Sequence, residues 1–116
     1  MLYHRNELKA ETREKARGGD GTVSFVHLVE GKGAVQGNTS LLAEITMPPG
    51  TSIGSHPHTE DIEYYIILEG AGMVDDNGTE KPVVKGDVMI TGNGEIHSIR
   101  NTGTVPLVFQ AIIIKN

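Results

Sequence analysis

GTSIGSHPHTEDIEYYIILEG, residues 50–70, sets three potential metal ligands close together: His56, His58 and Glu63. Two histidines two apart on an extended chain project to the same side of it, because side chains alternate along a strand. Pro57 between them fixes its own φ and favours an extended residue before it, which supports a strand and opposes a helix. Thr59-Glu60-Asp61 is a polar patch suited to a turn, and Glu63 stands at the head of an apolar run, Ile62 to Leu68. A hairpin-like reversal over that patch is expected to bring the Glu63 carboxylate back toward the two imidazoles. Neutral imidazole combined with carboxylate suits a divalent first-row transition metal. Along the same run Glu63, Tyr65 and Ile67 share one strand face, while Tyr64, Ile66 and Leu68 share the other.

A fourth candidate ligand, His97, lies in GDVMITGNGEIHSIRN, residues 86–101. Together the two stretches resemble the paired signatures of the cupin superfamily. The first, G-x5-H-x-H-x4-E-x6-G, is matched at Gly50, His56, His58, Glu63 and Gly70. The second, G-x5-P-x-G-x2-H-x3-N, is matched at Gly86, Gly94, His97 and Asn101, with Gly92 standing where that signature has proline. Gly92-Asn93-Gly94 has turn chemistry of its own. The resemblance implies an antiparallel all-β jelly roll, or double-stranded β-helix, in a single domain. It also implies that His56, His58, Glu63 and His97 converge inside the barrel mouth on one divalent transition metal, with Mn, Fe, Ni, Co, Cu and Zn all admissible. Many cupins dimerise through N-terminal strands, so a homodimer is the implied assembly.

Composition agrees with that class. The chain has 116 residues, enough for one core, and its 15 glycines with only 37 % hydrophobic residues suit a turn-rich β domain. Aromatic side chains are limited to Tyr3, Tyr64, Tyr65, Phe25 and Phe109, so aliphatic residues must fill most of the core. A net charge of −5 without a basic run excludes the electrostatic footprint of a nucleic-acid binder. With no cysteine, disulfides, thiolate ligands and a cysteine nucleophile are excluded. No apolar run approaches the roughly 18 residues of a membrane span, and the N-terminus shows no charged-then-apolar signal. A soluble, cytoplasmic protein is expected.

Residues 1–21 read as an N-terminal arm and residues 22–116 as the barrel domain. Asn6 offers an N-cap to a run of helix formers through Arg17, but Leu8 and two alanines make too thin an apolar face. A charged surface arm, ending at the glycine hinge Gly18-Gly19-Asp20-Gly21, is the expectation. Strands are expected at residues 23–29, 40–47, 62–69, 71–75, 81–84, 87–91, 97–101 and 107–115. Turns at Gly31-Lys32-Gly33, Pro48-Pro49-Gly50, Asp76-Asn77-Gly78, Gly92-Asn93-Gly94 and Thr102-Gly103-Thr104 separate them. Asn77-Gly78 is a strong two-residue hairpin signal. The nearly continuous apolar run from Val108 to Ile114 predicts a strand buried on both faces.

A metal with exchangeable positions acts as a Lewis acid on carboxylate, keto or enediol oxygens. Cupins with this ligand set include dioxygenases, decarboxylases and isomerases. The leading reading is therefore a metal-dependent enzyme, dioxygenase- or decarboxylase-like, acting on a small carboxylate, keto acid or enol. The alternative is a non-catalytic module that binds a metal-chelating metabolite. Glu60, in the acidic turn beside Asp61, and Tyr65, in step with Glu63, are the candidate catalytic groups. His27 shares a strand face with Phe25 and reads as a hydrogen-bonded, half-buried histidine. Arg100 has opposite parity to His97 and should face away, whereas Arg17 reaches a bound carboxylate only if the arm folds over the barrel mouth.

Overall fold

The computed structural model describes residues 2–30 and 37–116, so the turn expected at Gly31-Lys32-Gly33 lies outside the described residues. Ten strands are described: β1 (Lys9–Glu14), β2 (Thr22–Glu30), β3 (Thr39–Met47), β4 (Ser52–Pro57), β5 (Asp61–Glu69), β6 (Ala71–Asp76), β7 (Thr79–Val84), β8 (Val88–Thr91), β9 (Ile96–Arg100) and β10 (Leu107–Lys115). They form two antiparallel sheets, a six-stranded one in the order β1-β2-β3-β10-β5-β8 and a four-stranded one in the order β4-β9-β6-β7. The expected all-β jelly roll is thus the observed fold.

Alternation builds the core. Val23 and Phe25 on β2, Ala43, Ile45 and Met47 on β3, Tyr65 and Ile67 on β5, and Leu107, Phe109 and Ala111 on β10 are buried on one face of the larger sheet. Ile53, Val74, Val83 and Ile99 answer them from the smaller sheet. The turns close as their residues require. Asn77 and Gly78 both have positive φ, 49° and 98°, the left-handed pair that a tight hairpin between β6 and β7 demands. The signature glycines Gly50, Gly70, Gly86 and Gly94 also lie at positive φ, between 81° and 94°, where a side chain is strained.

Three expectations are revised. β10 is a central strand, but it is not buried on both faces: Val108, Gln110 and Ile112 are only half-buried on the side away from the core. The segment from His56 to Glu63 is no hairpin, because β4 pairs with β9 while β5 pairs with β10 and β8. The intervening Thr59–Glu60 turn carries the chain from one sheet to the other.

The third revision concerns the arm. Its helix formers yield only short 3-10 turns at Arg5–Glu7 and Ala16–Gly18, and residues 9–14 pair with β2, Glu11 opposite Phe25 and Arg13 opposite Val23. A helix here would have no apolar stripe to bury, whereas the free edge of β2 supplies a full ladder of backbone partners. The strand remains mostly exposed and charged. Beyond it, residues 16–19 dock onto β4. Asp20 N donates to the Ser52 hydroxyl at 2.8 Å and Ser52 N donates to the Asp20 carbonyl at 2.9 Å. The approach is so close that a Cβ on Gly54 would collide with the Arg17 carbonyl oxygen.

Asn101, the last residue of the second signature, fastens the loop before β10. Its buried side-chain amide donates to the carbonyls of Met47 and Val105 at 2.9 and 2.8 Å, and its oxygen accepts from Gly103 N at 2.9 Å. Asn101→Ala removes all three bonds and is expected to cost about 2–4 kcal/mol. Scanning calorimetry should show the thermal midpoint falling by roughly 10 °C or more; an unchanged midpoint would refute this role.

Candidate metal centre

The four candidate ligands come from both sheets. His56 on β4 and His97 on β9 are direct register partners in the smaller sheet, and His58 follows immediately after β4. Glu63 faces them from β5 of the larger sheet. A break in the β4–β9 register between Ile53 and His56 turns both of these residues inward although they are three positions apart. His58 is pinned at the backbone to the second signature's turn: its N–H donates to the Glu95 carbonyl at 3.0 Å and its carbonyl accepts from Gly94 N at 2.9 Å.

All four side chains are buried, and one ligand atom from each lies within 4.8 Å of the others. Glu63 Oε1 stands 2.9 Å from His58 Nε2, 3.0 Å from His97 Nε2 and 4.0 Å from His56 Nε2. The His97 nitrogen is 3.0 Å from that of His56 and 3.2 Å from that of His58. The outward nitrogens are all engaged. His56 Nδ1 lies 2.7 Å from the Gly54 carbonyl, His58 Nδ1 2.6 Å from Asp61 Oδ1, and His97 Nδ1 2.8 Å from Thr91 Oγ1. Two of these partners are pure acceptors and fix the Nδ1–H tautomer of His56 and His58, which turns their Nε2 lone pairs inward.

Those lone pairs meet a carboxylate. Glu63 Oε1 is buried and has no hydrogen-bond partner of acceptable geometry, despite two nitrogens near 3 Å. Short contacts without a shared hydrogen are what acceptors around a common cation display. The donor set, three imidazoles and one carboxylate, also fits a first-row divalent ion, with atoms spaced as ligands about 2.0–2.2 Å from one centre would be. The residues can therefore hold a metal.

Their electrostatics are consistent. Burial pushes His56 below the ordinary imidazole range. The adjacent Glu63 carboxylate holds His58 above it, opposed by burial and aided by Asp61. Burial works against a charged Glu63, yet His58 and His97 together hold its carboxyl below the usual carboxylate range. Tyr65 is driven well up by burial and then by the neighbouring Glu63 charge, so its hydroxyl stays neutral. Its ring stacks on His97 with centroids 4.8 Å apart, and packs against Phe109 at 4.5 Å.

A cavity of about 110 Å³ opens beside the cluster, and His56, His58, Glu63 and Tyr65 form its polar floor. Phe25, Ile45, Ile53 and Ile113 contribute apolar wall, and Arg13 and Arg17 reach it from the N-terminal segment. Pockets for drug-sized ligands run to roughly 300–1,000 Å³, so this one admits only a small molecule. Glu60 is not brought into it: the residue is exposed in the inter-sheet turn, where its carbonyl accepts from Asn116 N at 3.1 Å. His27 is buried 3.1 Å from Glu11 Oε1 and does not line the cavity either. Arg100 faces outward and pairs with Glu80. Thr91 and Asp61, which orient two ligands, were not identified as such in the sequence. Thr91 lies opposite Glu63 in the β5–β8 register, a neighbour relation that the linear chain does not display.

Comparison with known proteins places this geometry in a family. The family described as Cupin domain matches residues 43–114. A Thermotoga maritima protein named "Oxalate-binding protein" is 42 % identical over 114 residues, covering 98 % of this chain and 93 % of that one. The crystal structure of a protein described as a predicted oxalate decarboxylase, from the same organism, superposes with a TM-score of 0.92 at 40 % identity over 100 % of both chains. The cupin domain of Schizosaccharomyces pombe Cnp3 shares the fold alone, with a TM-score of 0.73 at 20 % identity over 91 % of this chain and 69 % of that one. The double signature, the two-sheet barrel and these matches agree, and the chain belongs to the cupin family.

Proposed function

We propose that this protein holds one divalent first-row transition metal on His56, His58, Glu63 and His97 and uses it to capture a small carboxylate of the oxalate class. The carrying observation is the convergence of four buried ligand atoms while the Nδ1 atoms behind them are occupied by Gly54, Asp61 and Thr91. When bound, the metal supplies Lewis-acid attraction for a carboxylate oxygen. The cavity supplies the remainder: apolar walls that exclude water and a volume suited to a few heavy atoms. The oxalate-binding name of the Thermotoga relative supports this choice of ligand.

Capture requires nothing beyond what lines the cavity. Turnover requires a proton donor or acceptor there, and among the described lining residues only Tyr65 is uncommitted to the ligand set and able to move a proton. Decarboxylation or oxidation is the second reading. It rests on Tyr65 and on the decarboxylase description of the structural neighbour, while Glu60, which lies outside the cavity, has no part in it. Purification without affinity metals, metal analysis and calorimetric titration with oxalate test the first reading. One metal per chain and oxalate binding to the loaded but not the stripped protein are expected; metal retained at full stoichiometry by His58→Ala and His97→Ala would refute it. Conversion of oxalate by the loaded protein, lost in Tyr65→Phe, would favour the second.

We also propose a homodimer through the outer face of the larger sheet. Ile90, Tyr64, Ile112 and Leu42 form a continuous cross-strand row on β8, β5, β10 and β3, and Val88 and Ile66 extend it. Ile90 and Val88 are each 55 % exposed, an apolar surface that single chains seldom leave to water. Light scattering should give twice the 12.5 kDa chain mass, and Ile90→Glu should shift it toward the monomer. A wild-type protein that is monomeric at all concentrations would contradict this.

Protons compete with the metal for the same nitrogens. Glu63 raises His58 and burial lowers His56, so on acidification His58 takes up a proton before His56 does. Metal retained after dialysis should therefore fall as the pH drops from about 8 to about 5. Full retention at about pH 4 would exclude imidazole ligation.

A further inference from the structure

Two arginines reach the cavity, and they are not equivalent. Arg13 is committed: its guanidinium lies 2.6 Å from Glu11 Oε1 and 4.1 Å from the centre of the Phe25 ring. Arg17 has no carboxylate partner among the described residues, yet it lines the same cavity as His56, His58, Glu63 and Tyr65. Its charge bears on both His56 and Tyr65.

The backbone that presents it is held under strain. Arg17 and Lys15 both sit in the left-handed region, at φ 52° and 50°, which costs a residue with a Cβ on the order of 1 kcal/mol each. Surrounding bonds maintain the bend: Lys15 N donates to the Gly21 carbonyl at 2.8 Å, and Gly18 N and Gly19 N donate to the Lys15 and Ala16 carbonyls at 2.9 Å. Gly19 and Gly54 let this segment lie directly on β4, and Ala16 packs against the core. Residues 16–19 therefore lie against β4 at the cavity, and exposed Arg17, without a carboxylate partner among the described residues, lines it together with three of the candidate ligands.

Charge then selects the guest. Among the cavity-lining groups, a divalent ion and Arg17 face a single Glu63 carboxylate, since Arg13 is neutralised by Glu11 and Asp61 stands behind His58 outside the lining. The balance is two positive charges in a site too small for a large anion. A metal-bound monocarboxylate would leave the guanidinium without a counter-charge, whereas a dicarboxylate answers both. Guanidinium also matches carboxylate geometry with paired donors.

We propose that Arg17 anchors the carboxylate group of a small dicarboxylate that is remote from the metal, and so makes the cavity selective for dianions over monoanions. This rests on the metal-centred reading above. The test titrates oxalate, malonate and acetate into Co(II)-loaded wild type, Arg17→Ala, Arg17→Gln and Arg17→Lys, by calorimetry and by the cobalt visible spectrum. Wild type should bind both dianions more tightly than acetate. Arg17→Ala and Arg17→Gln should lose roughly tenfold to a hundredfold for the dianions and less than about threefold for acetate. Arg17→Lys should recover part of that loss, and all variants should keep wild-type cobalt stoichiometry. Dianion affinity within about twofold of wild type in Arg17→Gln, or an equal loss for acetate, overturns the assignment while leaving the metal-centred reading in place. Cobalt-loaded wild type that binds no dicarboxylate overturns both.

Discussion

Glu63 Oε1 and three imidazole nitrogens confront one another across the gap between two sheets, and the barrel is arranged around that confrontation. Four electron-rich atoms within a few ångströms repel unless a positive charge sits among them. Glu63 lifts the His58 imidazole above its ordinary range, and His58 and His97 hold Glu63 as an anion against its burial. A divalent cation would supply that positive charge. It would also join β4 and β9 of one sheet to β5 of the other, adding a cross-link to a core otherwise held by apolar contacts.

The layer behind the ligands is as definite as the ligands themselves. A backbone carbonyl, a carboxylate and a hydroxyl each take one imidazole, so the rings are aimed before any ion arrives. The cupin fold hosts many chemistries and does not choose among them. What distinguishes this cavity is local: a small volume, one neutral phenol, no carboxylate but Glu63 among the described lining residues, and arginine supplied by the N-terminal segment.

Much of this was legible in the linear chain, for identifiable reasons. His56, Pro57 and His58 fix an extended local geometry, and Glu63, Tyr65 and Ile67 do share an inward face. Alternating apolar residues and glycine-centred turns located most of the strands. The pairing of strands was less accessible. Short-range pattern marks a turn at Thr59–Asp61 but cannot distinguish a hairpin from a crossing between sheets, and here the chain crosses. β1 was hidden because a charged edge strand has almost no periodicity of its own and is specified by the partner it meets. Thr91 and Asp61 acquire meaning only through contacts with imidazoles presented by other segments.

Gly54 joins two parts of the molecule that would otherwise be independent. Its carbonyl receives the His56 ring, and its bare α-carbon forms the floor on which the Arg17 peptide rests. A displacement of the overlying segment is therefore a displacement of the seat that steadies the His56 ring. The lie of the Arg17 segment and the aim of the His56 imidazole thus meet at one residue, and any side chain at position 54 would disturb both at once.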